Sequence, residues 1–358
     1  MIERLDDSRV YEHLDPEALL GRIRDLPRQC REAWERARVF KVPTAYWNVD
    51  RLVVLGMGGS AIAGDLLRSL AARRSRKAVF VCRGYEIPSL VDENTLVVAC
   101  SYSGETEETL AAFSQALRGP AKKLVITTGG RLAGLAREYE IPLFLFDYKG
   151  EPRSALGYGL MLLLSVAEQV GLLPEMESDV AEAATLMGEL AQQLDSRVTA
   201  ERNPAKQLAG RLQGKVPIVY GAESLTEVAH HWKTQLNENS KVWAFHEELP
   251  EANHNAIAGY PLPREAIDRL HVVLLRHPLL HPRILLRYDA TKDALADAGV
   301  GCDVVEVQGS APLSQMLTGI LYGDFVSYYL AILNAVSPSP VAAITELKRR
   351  LAGTPWPQ

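Results

Sequence analysis

Arg51–Leu70 reads RLVVLGMGGSAIAGDLLRSL: a short apolar run, a glycine-rich turn, then apolar residues at helical spacing. This is a strand, a loop and a helix. The pattern recurs in Ala78–Gly84 (AVFVCRG), in Thr95–Leu117 (TLVVACSYSGETEETLAAFSQAL) and in Lys123–Glu140 (KLVITTGGRLAGLAREYE), and PLFLF at 142–146 adds a last apolar run. Continuous Val, Ile and Leu runs joined through helices predict a parallel sheet covered on both faces.

Working outward, Pro16–Val39 carries apolar positions at mostly helical spacing, interrupted at Pro27, and predicts a helical leader. Arg153–Leu173 is apolar enough for a buried helix, and 175–201, rich in Ala, Glu and Leu, predicts another. The strand and helix alternation then restarts. VPIVYGAE at 216–223, a helix to about His231, KVWAFHE at 241–247, LHVVLLR at 270–276 and CDVVEVQ at 302–308 predict a second sheet, closed by a helix at 313–333 and a short one after Pro340. The chain has 358 residues, and at about 150 residues per domain that length suits two domains. We expect an α/β protein of two units: an N-terminal one over 1–155, a helical connection over 156–200 and a similar C-terminal one over 201–358.

Composition narrows the function. A net charge of −5 repels a phosphodiester backbone and argues against nucleic acid as a partner. The four cysteines form no CxxC pair, so reduced thiols are expected rather than a metal site. The first residues alternate in charge, unlike a secretory signal, and no continuous apolar run of about 18 residues suggests a membrane span. The expected location is the cytoplasm.

Chemistry gathers at the turns. Gly56-Met57-Gly58-Gly59-Ser60 lets the backbone approach a ligand, and the helix that follows presents free N–H groups and positive dipole to an anion. A dinucleotide site would want an acid near the end of the second strand, where Arg83 stands instead. Ser101-Tyr102-Ser103-Gly104-Glu105-Thr106 opens another helix, and one hydroxyl would suffice as an N-cap. Three hydroxyls suit a phosphate monoester. Thr127-Thr128-Gly129-Gly130 borders the same edge.

GMGGSAIAGD followed by SYSGETEET resembles the sugar isomerase (SIS) domain. Trp232–Lys241 (WKTQLNENSK), Leu249–Asn255 (LPEANHN) and Gly150-Glu151-Pro152-Arg153 narrow the resemblance to the bifunctional phosphoglucose/phosphomannose isomerases, over nearly the whole chain. The likeness implies that Gly58, Gly59, Ser60, Ser101, Ser103 and Thr106 hold a sugar phosphate. It also implies that Arg153 stabilises an enediolate, that His254 opens the sugar ring and that Lys348 assists. Glu238, between two asparagines, is the candidate base, because aldose-ketose interconversion needs one group to move a proton between adjacent carbons. The family works without metal or other cofactor, as a homodimer whose histidine arrives from the second subunit. The rivals are a non-catalytic sugar-phosphate-binding regulator, which would need neither Glu238 nor His254, and an isomerase of another sugar phosphate.

Overall fold

The computed structural model describes residues 2–353; Met1 and residues 354–358, which fall at the outer limits of the two expected units, lie outside it. The leader forms α1 (Ser8–Leu14), α2 (Leu19–Arg24) and α3 (Leu26–Val39). The break falls at Asp25, and Pro27 sits in the first turn of α3, where a missing N–H goes unneeded.

Strands β1 (Arg51–Leu55), β2 (Ala78–Cys82), β3 (Thr95–Ser101), β4 (Lys122–Thr127) and β5 (Leu143–Leu145) form a parallel sheet in the order β2-β1-β3-β4-β5. Helices α4 (Gly58–Ala71), α5 (Glu107–Leu117) and α6 (Gly130–Glu138) follow β1, β3 and β4. The order reverses between β1 and β3, so the loops leaving those two strands part to opposite faces and open a crevice at the carboxyl edge. Gly56–Ser60 and Ser101–Thr106 are those loops.

Helices α7 (Leu156–Gln169) and α8 (Glu177–Gln193) lead to α9 (Pro204–Leu212) and a second parallel sheet. Its strands β6 (Val216–Ala222), β7 (Phe245–Leu249), β8 (Leu270–Arg276) and β9 (Gly301–Glu306) run in the order β7-β6-β8-β9. Helices α10 (Thr226–Glu238), α11 (Arg264–Ile267), α12 (Pro282–Ala298), α13 (Pro312–Leu333) and α14 (Ala342–Ala352) accompany it. By length and composition α13 could cross a membrane, yet 94% of its most apolar window is buried within the fold. It packs on α8, α9 and α10 as the central helix.

Two boundaries differ from expectation. Helix α10 runs past His231 to Glu238, and β7 begins at Phe245 rather than Lys241. Side-chain hydrogen bonds explain both. Asn237 Nδ2 donates to the Val242 carbonyl (2.8 Å), and Ser240 Oγ donates to the Ser327 carbonyl on α13 (2.6 Å), so 239–244 is held as a loop.

Gly323 on α13 has no room for a side chain: a Cβ would lie 2.3 Å from Trp232 Nε1. Trp232 is fully buried and its Nε1 donates to the Gly319 carbonyl at 2.7 Å, so the ring cannot swing away. Gly323→Ala should gain about 1 kcal/mol in helix propensity and lose about 1–3 kcal/mol by overpacking. We expect net destabilisation, read as a lower urea midpoint with an unchanged m-value.

Candidate active site

Two glycines shape the loops after β1 and β3. Gly58 has φ of 51°, in the left-handed region that glycine tolerates, and turns the chain from β1 into α4. Gly104, φ 68°, cannot be replaced either, since a Cβ there would meet the Gly129 carbonyl oxygen at 1.9 Å. The loops after β3 and β4 are thereby interlocked, and Leu132 N donates to the Gly104 carbonyl (3.0 Å).

The hydroxyls are partly engaged with one another. Ser101 Oγ, buried, lies 2.8 Å from Thr106 Oγ1 and accepts from Gly104 N at 3.1 Å. Ser103 is exposed and accepts from Glu105 N (3.2 Å). Neither α4 nor α5 has a side-chain hydrogen bond at its N-cap. Gly59, Ser60, Ser101 and Tyr102 line one small cavity with Cys100 and Pro152. Burial pushes the Cys100 thiol up to about 12, so it brings no negative charge to the cradle.

Arg153 links this cradle to the second half of the chain. A Cβ on Gly59 would lie 3.4 Å from the Pro152 carbonyl oxygen and 3.5 Å from Arg153 Cα, so α4 begins directly against that segment. The guanidinium is nearly buried, with a side-chain exposure of 9%. Its Nε donates to Asn239 Oδ1 (2.7 Å), and Nη2 donates to the carbonyls of Pro338 (2.9 Å) and Ser339 (2.8 Å). Nη1 lies 3.5 Å from Glu238 Oε2. Three short bonds fix the arginine, whereas the single long one leaves the carboxylate free to reach a substrate.

Glu238 is the last residue of α10, where the helix dipole disfavours an anion by about 0.3–1 kcal/mol. Two cations offset this. One is Arg153; the other is Lys241, which sequence reasoning passed over. Lys241 has φ of 58°, and its Nζ donates to the Glu238 carbonyl and to that of Pro338 (3.2 Å). Burial first, then the charge of Arg153, pushes its ammonium down to about 8, against an upward pull from Glu238 and Glu151. A lysine three residues after a candidate base was the available signal.

The remaining candidates stand apart. His254 is exposed in the short 3₁₀ turn Glu251–His254, which Asn253 pins to α12 through Thr291 Oγ1 (2.8 Å). No hydrogen bond or ion pair joins it to Glu238 or Arg153 among the described residues. Lys348 is exposed on α14 and forms no such bond to Arg153 or Glu238 among the described residues. A groove of about 870 Å³ with mostly apolar walls borders Lys241, Trp243, Phe245 and Val336, and Ser60, Ser101 and Ser103 do not line it.

Asp65, Glu227 and His230 also approach one another, with ligand-type atoms within 4.8 Å. Arg83 and Arg68 (3.3 Å) already pair with Asp65, and Arg68 reaches Glu227 (2.6 Å). Two guanidiniums repel a metal cation there, and the group serves as an ion-pair network joining α4 to α10.

Comparison with known proteins gives the family. The SIS domain model matches residues 45–138, and the bacterial phospho-glucose isomerase C-terminal SIS domain model matches 201–351. A bifunctional phosphoglucose/phosphomannose isomerase of Caldicellulosiruptor bescii is 37% identical over 92% of this chain and 98% of its own length. The chain belongs to the bifunctional phosphoglucose/phosphomannose isomerase family. Another member, from Thermoplasma acidophilum, is 37% identical over 85% of this chain and 90% of that one. The crystal structure of a hypothetical protein of Thermus thermophilus superposes with a TM-score of 0.73, covering 99% of this chain and 95% of its own at 18% identity, which supports the α/β fold.

In this family member the lowered lysine has a testable consequence. Its folded pKa of about 8 lies below the ordinary 10.5, so the folded state sheds that proton first and deprotonation between those values favours the fold. Isomerase activity should therefore fall above pH 8 without a loss of thermal stability from this group. Lys241→Arg, charged throughout, should move that alkaline limb upward by more than a unit in a pH-rate profile; a limb left in place would clear Lys241.

Proposed function

We propose that this protein is a metal-independent isomerase interconverting glucose 6-phosphate and mannose 6-phosphate with fructose 6-phosphate. The observation carrying this reading is the placement of one arginine between hydroxyl-lined helix N-termini and a loosely held carboxylate. Family membership supports the isomerase activity. The phosphate is held by Ser60, Ser101, Ser103 and Thr106 with N–H groups of Gly58 and Gly59. That end of the substrate anchors the rest.

Glu238 removes the proton from C2 of the open aldose, and the electron pair moves to give an enediolate. Charge develops on the oxygens at C1 and C2, where a fixed guanidinium stabilises it better than reorienting water. Arg153 is that group. As the proton of the C2 hydroxyl passes to the C1 oxygen, Glu238 returns its proton to C1 and the C2 carbonyl forms, giving the ketose. Rotation about C2–C3 exposes either face of the planar intermediate to the same acid, so one base serves both aldoses. Ring opening is assigned to His254, a near-neutral proton shuttle, with Lys348 assisting.

His254 serves Glu238 only across a subunit boundary in this reading, so the working unit is a homodimer. Exposed Trp243 (79%) and Phe245 (48%), which line the apolar groove, offer a surface for a second copy.

A coupled assay on both aldose phosphates tests this directly. Glu238→Gln should lower kcat by about 100-fold or more for each, with KM within a few-fold. EDTA should leave the unsubstituted enzyme unaffected. Full activity in the variant would refute the base, and inhibition by chelator would refute the metal-free route. Light scattering should give a mass of two chains; a monomer would refute delivery of His254 by a partner.

A further inference from the structure

A chain of buried amides runs from Arg153 into the core, and the direction of each hydrogen bond in it is fixed by the one before. A guanidinium carries donors only. Arg153 Nε donates to Asn239 at 2.7 Å, so the Asn239 oxygen faces the arginine. Its Nδ2 must then face inward, and it donates to Gln235 Oε1 (3.2 Å) and Ser327 Oγ (3.0 Å). Ser327 Oγ in turn donates to the Asp324 carbonyl at 2.9 Å. With its oxygen occupied, Gln235 turns Nε2 toward His231, but His231 Nε2 lies closer to Asp324 Oδ1 (2.8 Å against 3.1 Å) and one ring nitrogen cannot both donate to that carboxylate and accept from the amide, so the fixed directions end at Gln235. Gln235, Asn239, His231 and Ser327 are all buried.

We propose that Asn239 and Gln235, backed by the buried Ser327, are positioning residues that set the plane of the Arg153 guanidinium toward the reacting carbons. The inference rests on the role given to Arg153 under the proposed function. A surface ion pair could hold an arginine with far less machinery. Here the order of donors leaves Asn239 one orientation, because reversing it would set a donor against a donor at Arg153 and an acceptor against an acceptor at Gln235. Rotation of the guanidinium by a different Asn239 rotamer would also sacrifice the Ser327 bond. The far end is anchored on α13, the best-packed helix, so the guanidinium takes its orientation from the core rather than from the loops. Asn239→Leu and Gln235→Met break the chain at its first and second links without touching the sugar-binding loops. Asn239→Asp keeps an acceptor for Nε.

The test is a double-mutant cycle read in kcat and KM for fructose 6-phosphate. Asn239→Leu and Gln235→Met should each lower kcat by about tenfold, with KM within twofold, since misorientation of a group acting in the transition state costs rate rather than binding. Asn239→Asp should recover activity to within about threefold. In an Arg153→Lys background, which lacks the Nε contact, the first two substitutions should cost less than twofold more. Equal losses in both backgrounds, or an unchanged kcat in Gln235→Met, would overturn the proposal. The Nε–H proton of Arg153, followed by nitrogen-15 NMR in the unsubstituted enzyme, gives a readout independent of any variant's folding. It should exchange slowly, and rapid exchange would overturn the proposal too. If Arg153→Lys itself left kcat unchanged, the reading of the chemistry would fail, and Nε–H protection would still decide whether the chain holds the guanidinium.

Discussion

The guanidinium of Arg153 is the constraint on which the site depends. It sits on the connection between the two sheets, and its bonds reach Asn239 at the end of α10 and the carbonyls of Pro338 and Ser339 beyond α13. Its own backbone abuts Gly59. One side chain therefore sets the distance from the hydroxyl loops to the carboxylate of Glu238. Burying that charge without partners would cost several kcal/mol, so its surroundings are built from oxygens. The bond to Glu238 is the longest of the set, which suits a base better than a structural counter-ion.

The two sheets share a strand order, since β2-β1-β3-β4 and β7-β6-β8-β9 are the same arrangement read along the chain. Each has a reversal point, and only the first has the hydroxyl-lined loops. In the second, the chain leaving β6 passes through Glu223, at φ of 53°, whose carboxylate pairs with Arg73 (2.8 Å) and accepts from His281 N (3.3 Å). A fixed carboxylate there repels a phosphate. The second unit instead supplies Glu238 and Asn239 from the far end of α10, and the Arg68–Glu227 pair registers that helix against α4 (2.6 Å). With Gly59 and Glu238 both beside Arg153, and Arg68 beside Glu227, the two helices run antiparallel.

Much of this was legible in the residues. Apolar runs and glycine turns gave every strand of the first sheet, and the clustering of hydroxyls in SYSGETEET pointed to an anion because one cap needs only one oxygen. The α10 boundary was missed because polar residues at 237–240 look like a loop, while their side chains bond inward to Val242 and Ser327. Lys241 and the His231–Asp324 pair were also missed. Their partners lie across the fold, as with Asn239 and Ser327, 88 positions apart, and no local spacing encodes such a contact. Lys348 illustrates the converse: LKRR supplied cations in sequence, and the structure leaves that lysine exposed on α14.

Charge placement explains how an acidic chain can receive a dianionic substrate. The proposed phosphate end offers neutral donors, and Arg131, beside the loop after β4, is taken by Glu105 at 2.8 Å. Positive charge stands instead at the other end, where Arg153 lies beside the Glu238 carboxylate and Lys241 binds the Glu238 backbone carbonyl, with Glu151 also acting on Lys241. In the proposed reading, cations border the enediolate and neutral, directional donors hold the phosphate. A cation at the cradle would bind the ground state and the transition state alike, and so would raise affinity without raising rate. Cations at the reacting carbons act on charge that exists only partway through the reaction. The proposed division of labour between hydroxyls and guanidinium would thus spend electrostatics on catalysis.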